Sequence, residues 1–179
     1  MTRTTIRDNQ VMERKARQVK LLLANCDGVL TDGSFYLLED GLELKKFSRR
    51  DVIAVERLKS LADTDVVLIS ESNEISFLRL AEKLKITEHH LGLKNKESIL
   101  NVLLEKYQLK PEQVAYIGDE ISDVELMNMV GLSACPLDAA YEARCAADYV
   151  CNSCGGNGVL REFAEFIIMV RQKEKCLAD

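Results

Sequence analysis

The sequence predicts an α/β fold, with a doubly wound parallel sheet and a small inserted β-hairpin. Continuous apolar runs of strand length alternate with segments whose apolar residues recur at helical spacing. Polar residues follow several of these runs, as they do at the carboxyl edge of a parallel sheet. The chain has 179 residues, of which 47% are hydrophobic, so one domain can bury a sizeable core.

The first strand is predicted over residues 19–26, a continuous apolar run typical of a central strand that is buried on both faces. It ends at Asp27-Gly28, a common turn sequence. Two shorter runs lie on either side of a turn that contains Gly41, which tolerates a positive φ. This pattern predicts a hairpin inserted at about residues 34–47.

Helices and strands alternate through the rest of the chain. Residues 51–61 show a helical period, and Asp51 is predicted to cap that helix. Further helices are predicted at 75–84, 96–107, 124–129 and 159–171, and further strands at 65–70, 89–91, 113–118, 131–135 and 148–150. Residues 1–18 are a polar lead-in that is expected to be helical from Val11, and one domain is expected to follow over residues 19–173.

Composition excludes several classes of protein. The net charge of −5 gives no basic face, so we expect no nucleic-acid partner. No apolar run approaches a membrane span, and the polar beginning of the chain lacks the apolar core of a signal peptide. The six cysteines therefore fit reduced thiols in a cytoplasmic protein. Cys151 and Cys154 have the spacing of a metal or redox pair, but a lone pair is weak evidence, and packing residues before a Gly-rich turn are the favoured interpretation.

Polar side chains are predicted to meet at one edge of the sheet. Asn25 and Asp27 follow the first strand, Ser70 ends another, and Asp119 and Asp123 follow a third. Lys96, at the beginning of a predicted helix, can reach the same crevice. Each feature alone also suits a turn, a helix cap or a solvated surface. Together they predict a site for magnesium, which prefers oxygen ligands, and for phosphate.

These residues carry a resemblance to a known family. Haloacid dehalogenase-like phosphatases have a first motif Asp-x-Asp-Gly-x-x-Thr, and the chain has Asn25, Asp27, Gly28 and Thr31 at the corresponding spacing. More narrowly, the chain resembles the 3-deoxy-manno-octulosonate 8-phosphate phosphatases over about residues 19–170. The stretches that carry this resemblance are 27–33, the hairpin up to Arg50-Asp51, 92–96, 115–119, 130–133 and 155–162.

The resemblance implies roles for the site residues. Asp27 corresponds to the general acid and base, and Ser70 and Lys96 to the groups that hold phosphate. Asn25, Asp27 and Asp119 occupy the positions that bind Mg²⁺, and Asp123 supports the metal. The resemblance also implies a phosphorylated sugar acid as substrate and no large cap domain.

The sequence departs from the family pattern at the nucleophile. Asn25 stands where the attacking aspartate is expected, and a neutral amide is a far weaker nucleophile than a carboxylate. Its amide oxygen still suits magnesium, but with one negative charge fewer. Three further positions differ from the family pattern. Asn157 stands in place of an arginine, and Val52 stands in place of a glycine. Ser70-Glu71 stands where the family commonly has Thr-Gly-Arg. We therefore expect a phosphatase scaffold with impaired catalysis.

Several of these departures resemble a second group, the C-terminal domain of animal CMP-sialic acid synthetases. That domain shares the Asn-x-Asp-Gly motif, an Ile-Ser-Glu sequence, here Ile69 to Glu71, and an Arg-Glu-Phe-Ala-Glu helix, here Arg161 to Glu165. The alternative is thus a non-catalytic assembly or regulatory domain associated with CMP-sialic acid synthesis. An Asp→Asn substitution introduced into an active enzyme would give the same first motif.

The hairpin predicts self-association. Apolar residues alternate along it, and a two-stranded ribbon is marginal in water by itself. The alternating residues are Phe35, Leu37, Leu42, Leu44 and Phe47. In the resembling phosphatases such hairpins join four subunits, so a homotetramer through residues 34–47 is expected. The alternative is a hairpin folded back onto its own domain.

Overall fold

The central sheet has six parallel strands in the order β5-β4-β1-β6-β7-β8. The structure, a computed structural model, describes the backbone of residues 6–178 and the side chains of residues 10–173. The sheet strands are β1 (Leu21–Asn25), β4 (Asp65–Ile69), β5 (His89–His90), β6 (Val114–Ile117), β7 (Leu132–Cys135) and β8 (Tyr149–Val150). The predicted doubly wound α/β fold is confirmed.

Helices cover both faces of the sheet. They are α1 (Ile6–Gln18), α2 (Arg49–Ala62), α3 (Ile75–Leu84), α4 (Ser98–Tyr107), α5 (Val124–Met129), α6 (Tyr141–Ala146) and α7 (Val159–Ala178). Strand β1 explains the two layers, because Leu22 and Ala24 face one apolar core while Leu21 and Leu23 face the other. Helix α2 packs against α7 in the first of these cores. The continuous apolar run of β1 is thus the signature of burial on both sides.

Helix α6 was missed, and helix α1 begins earlier than the predicted Val11. Helix α6 was not predicted, since Ala143 is its one buried residue and leaves no apolar period. Helix α1 spans most of the lead-in predicted at 1–18 and packs on α7, with the Arg171 guanidinium donating to the Arg17 and Val19 carbonyls. Residues 1–5 lie outside the described residues. The domain division at residue 18 stays a prediction.

The prediction that Asp51 caps its own helix is wrong. Helix α2 begins two residues earlier, and the hydroxyl of Ser48 accepts a hydrogen bond from the Arg50 N–H. The Asp51 side chain instead reaches the beginning of α7, where Oδ1 accepts from the Arg161 N–H. Both carboxylates and hydroxyls can cap a helix, so periodicity alone could not tell which helix Asp51 serves.

The inserted hairpin consists of β2 (Tyr36–Leu37) and β3 (Glu43–Leu44), which pair antiparallel. Its apolar side chains stay exposed, with Phe35 53% and Leu37 65% accessible. Phe47 differs from the prediction because its ring packs edge-on against Phe77 and joins the domain core.

Among the described residues, no helix is both long and apolar enough to cross a membrane.

Candidate active site

The carboxyl ends of β1, β4 and β6 open onto one cavity of about 340 Å³. Five of the predicted site residues line it: Asn25, Asp27, Ser70, Lys96 and Asp119. The sixth, Asp123, is fully buried beside it. Parallel strands bring these side chains together because their carboxyl ends share one edge of the sheet. The chemical roles of the six residues stay predictions.

The turn after β1 fixes the position of Asp27. The Thr31 hydroxyl donates to Asp27 Oδ1 at 3.2 Å and accepts from the Gly33 N–H. Gly28 has φ +71°, and a Cβ atom there would overlap the Asp119 carboxylate. A glycine at this position therefore lets the backbone of the β1 turn approach the end of β6.

Asn25 joins the ends of β1 and β6. Its side chain is buried, and Nδ2 donates to the Asp27 carbonyl oxygen and to Asp119 Oδ1, each at 2.8 Å. Burial raises the pKa of Asp119 to about 7; the Asn25 hydrogen bond opposes this shift, whereas the Asp123 charge adds to it. Asp119 thus lies in an environment in which a donor or a cation is needed to hold its charge.

A lysine that the sequence did not single out holds Asp27. Lys45 follows β3, and Nζ donates to both Asp27 oxygens, at 2.8 and 3.0 Å, and to Glu74 Oε1 at 2.7 Å. The ammonium also lies 4.7 Å from the centre of the Phe77 ring, and the side chain is 5% exposed. Burial lowers the pKa of Lys45, but the hydrogen bonds to Asp27 and Glu74 outweigh it and raise the pKa overall.

Asp123 anchors Lys96. Its Oδ1 accepts from the Lys96 ammonium at 2.5 Å and from the Tyr116 hydroxyl, and its Oδ2 accepts from the Asp119 and Glu120 N–H groups. Gly118 makes this possible, because a Cβ there would overlap the Asp123 carboxylate. With donors on both oxygens, Asp123 fixes the Lys96 ammonium and the loop after β6. Its predicted part in a metal site stays a prediction.

The turn after β4 forms another wall of the cavity. Ser70 is buried, and its hydroxyl oxygen accepts from the Ser72 N–H at 3.1 Å. Glu71 lies at the cavity wall with Oε1 3.7 Å from the Lys96 ammonium. Glu71 therefore places a negative charge beside the cation that is predicted to hold phosphate.

The other departures from the family pattern lie away from the cavity. Asn157 is exposed and does not line it, and Val52 packs partly against the domain core.

Cys151 is buried and Cys154 is partly exposed, both as free thiols. In the described part of the chain no three His, Cys, Asp or Glu side chains form a cluster with metal-site geometry.

Comparison with known proteins places this cavity in a family. The family model for haloacid dehalogenase-like hydrolases matches residues 81–163. The 3-deoxy-D-manno-octulosonate 8-phosphate phosphatase of Escherichia coli K12 is 36% identical over 159 residues, which are 89% of this chain and 84% of the relative. The N-acylneuraminate cytidylyltransferase B of Danio rerio is 35% identical over 163 residues, which are 87% of this chain but 37% of the relative.

A solved structure gives the same result. The 3-deoxy-D-manno-octulosonate 8-phosphate phosphatase of Moraxella catarrhalis, in complex with magnesium, phosphate and KDO, superposes with a TM-score of 0.88. The two chains are 26% identical, and the match covers 95% of this chain and 97% of the other. Fold and sequence similarity agree, and the chain belongs to the haloacid dehalogenase-like hydrolases, in the group that contains the 3-deoxy-D-manno-octulosonate 8-phosphate phosphatases.

Proposed function

We propose that the chain is a magnesium-dependent phosphatase scaffold for sugar-acid phosphates, of the octulosonate 8-phosphate or nononate 9-phosphate type, with strongly impaired turnover. The observation that carries this proposal is Asn25 at the end of β1, between Asp27 and Asp119. The cavity brings Asn25, Asp27, Ser70, Lys96 and Asp119 together, which supports a phosphatase site. It lacks the carboxylate that would attack phosphorus.

The oxygens at the ends of β1 and β6 suit Mg²⁺. The Asp27 carbonyl, the Asp119 carboxylate and the Asn25 amide oxygen are hard donors of the kind that this ion prefers. The raised pKa of Asp119 means that burial disfavours its charged form, and a bound cation would stabilise that charged form. When bound, the ion would neutralise charge on the phosphoryl group.

Three side chains have the placement needed for binding and proton transfer. Lys96, held by Asp123, directs its ammonium toward phosphate oxygens, and the Ser70 hydroxyl lies at the same end of the cavity. Asp27 is held by Thr31 and Lys45 and can exchange a proton with the leaving oxygen of the sugar. These contacts support the proposed roles in phosphate binding and proton transfer.

Covalent catalysis is the step that fails. Asn25 carries no negative charge, and both hydrogens of its amide nitrogen have an acceptor within hydrogen-bond distance. Attack by a neutral amide oxygen would give a poor acyl-phosphate equivalent, in contrast to an aspartate. We therefore expect phosphate esters to bind with little turnover.

Assembly is the second part of the proposal. The hairpin exposes a continuous set of apolar side chains, a pattern that marks an interaction surface. Their accessible fractions are 53% for Phe35, 73% for Tyr36, 65% for Leu37, 62% for Leu42 and 54% for Leu44. We propose a homotetramer in which four hairpins bury one another.

A non-catalytic domain associated with CMP-sialic acid synthesis is the alternative. The cytidylyltransferase relative supports it, since its similarity spans nearly all of this chain and the two relatives differ by one percentage point in identity. In that alternative the hairpin surface would be the functional part and the cavity would have no substrate.

The test is phosphate release from octulosonate 8-phosphate and nononate 9-phosphate in magnesium, for the chain and for Asn25→Asp. Asn101→Asp, at an exposed position of α4, makes the same chemical change away from the cavity. We expect Asn25→Asp to be faster by about 10³-fold or more, because covalent catalysis contributes several orders of magnitude. Ordinary enzymatic turnover by the unmodified chain contradicts the assigned impairment, and an inactive Asn25→Asp favours the alternative.

A further inference from the structure

We propose that the Asn25 side-chain amide takes the place of a bound cation between the ends of β1 and β6, so that this part of the fold needs no metal. The inference rests on the proposed function in one respect, which is the position of the metal between the Asp27 carbonyl and the Asp119 carboxylate. It concerns the folded state of the metal-free chain, which the catalytic proposal leaves open.

The amide nitrogen matches the needs of the two oxygens that it contacts. The Asp27 carbonyl and Asp119 Oδ1 are both acceptors, and each lies 2.8 Å from Asn25 Nδ2. A primary amide has two N–H groups on that one nitrogen, so one atom serves both oxygens. The reversed amide would place its oxygen against two acceptors, an arrangement that a cation between them would be required to stabilise.

Neighbouring cations do not supply this function. The Lys96 ammonium lies on Asp123 and near Glu71, and the Lys45 ammonium is shared by Asp27 and Glu74. In the part of the chain that the structure describes, Asn25 is the side-chain donor to Asp119. The Asn25 amide therefore holds the two strand ends together at a buried position.

An aspartate at position 25 reverses this situation. It has the same shape but no hydrogens, so it adds a third carboxylate group beside Asp27 and Asp119 and removes the donor. Where both carboxyl groups are ionised, only a cation could then join the oxygens, and magnesium would become a requirement of the local fold. Conversely, magnesium can enter the present chain only if the Asn25 amide gives up both hydrogen bonds and turns its oxygen inward.

Thermal unfolding of the full chain, with chelator or with millimolar magnesium chloride and without substrate, tests the inference. We expect millimolar magnesium to raise the unfolding temperature of the unmodified chain and of the control Asn101→Asp much less than that of Asn25→Asp. Asn25→Asp is expected to unfold at least about 3 °C lower in chelator and to recover in magnesium. Asn25→Ala, which loses the donor without gaining a charge, is expected to unfold lower in both media.

Three results would overturn the inference. The first is a magnesium shift in the unmodified chain as large as that in Asn25→Asp. The second is an Asn25→Asp chain that keeps the parent unfolding temperature in chelator. The third is an Asn25→Asp chain that magnesium does not restore, whether it is folded or not. Since no substrate is used, these outcomes are independent of the phosphatase assay.

Discussion

Asp51 is expected to lower the free energy of unfolding as the pH rises. A carboxylate in a favourable ion pair has the opposite effect. The side chain is 2% exposed, Oδ1 accepts from the Arg161 N–H, and Oδ2 is buried without a hydrogen-bond partner among the described residues. Burial raises the pKa of Asp51 to about 6, and the N–H groups at the beginning of α7 only partly oppose this shift. Replacement by asparagine keeps the acceptor and removes the titration.

The expected magnitude follows from the two pKa values. The pKa of Asp51 rises from an ordinary 3.8 to about 6. This rise lowers the free energy of unfolding by about 3 kcal/mol between the fully protonated and the fully ionised carboxyl group. Because the folded-state pKa is the higher one, this stability is fully present below about pH 4 and is lost as the pH rises through 6. About 1.4 kcal/mol of it is lost between pH 5 and pH 8.

Urea unfolding of the parent chain and of Asp51→Asn at these two pH values measures the effect. Other titrating groups, including Asp119, are common to both chains and cancel in the difference. We expect Asp51→Asn to gain about 1.4 kcal/mol relative to the parent from pH 5 to pH 8. Asp63→Asn, at a side chain that is 81% exposed, serves as the control. A difference that is independent of pH, or that has the opposite sign, would refute the reasoning.

Two further predictions concern the hairpin and the lysine that follows it. Lys45→Met leaves Asp27 and Glu74 without their shared cation, and we expect urea unfolding to show a loss of about 2 kcal/mol. Lys46→Met, at a side chain that is 59% exposed, is expected to cost under about 0.5 kcal/mol, and equal losses would contradict the role of Lys45. Phe35→Asp with Leu44→Asp is expected to convert a tetramer into a monomer in light scattering, whereas Val102→Asp, 53% exposed on α4, should leave the mass unchanged. A monomeric parent chain at micromolar concentration would contradict the proposed assembly.

The sequence predicted the parts of the fold that depend on apolar patterning. The continuous run over residues 19–26 was predicted as a central strand because burial on both faces favours an apolar residue at every position, and the observed strand is Leu21–Asn25. Helix α3 has the predicted bounds, since its apolar period is strong and its ends are distinct. Helix α6 was missed because a short helix with one buried residue, Ala143, has no such period.

The site was predictable as far as strand topology determines it. Asn25, Ser70 and Asp119 follow neighbouring strands, so a shared edge brings them together. Lys45 was not predictable, because its contacts with Asp27 and Glu74 depend on how the hairpin folds back over the cavity. In the sequence, Lys45 and Lys46 look alike, and only the structure shows that the first is buried and the second exposed.

The Asn25 side chain shows why the identity of one residue can outweigh the rest of a site. Topology, the Gly28 turn and the Lys96–Asp123 pair all fit the proposed phosphatase cavity. The residue at the end of β1 differs from an aspartate by one atom, yet it changes both the charge of the site and its hydrogen bonding. The fold is therefore a poor guide to activity at this position, whereas the chemistry of the side chain is a direct one.

The ratio of kcat/KM between Asn25→Asp and the unmodified chain, with a sugar-acid phosphate in magnesium, tests the central claim most directly. If the cavity is a phosphatase site that lacks only its nucleophile, the ratio is about 10³ or more, and the unmodified chain still binds the substrate. A ratio near one, with both chains turning over the substrate at ordinary enzyme rates, would contradict the account.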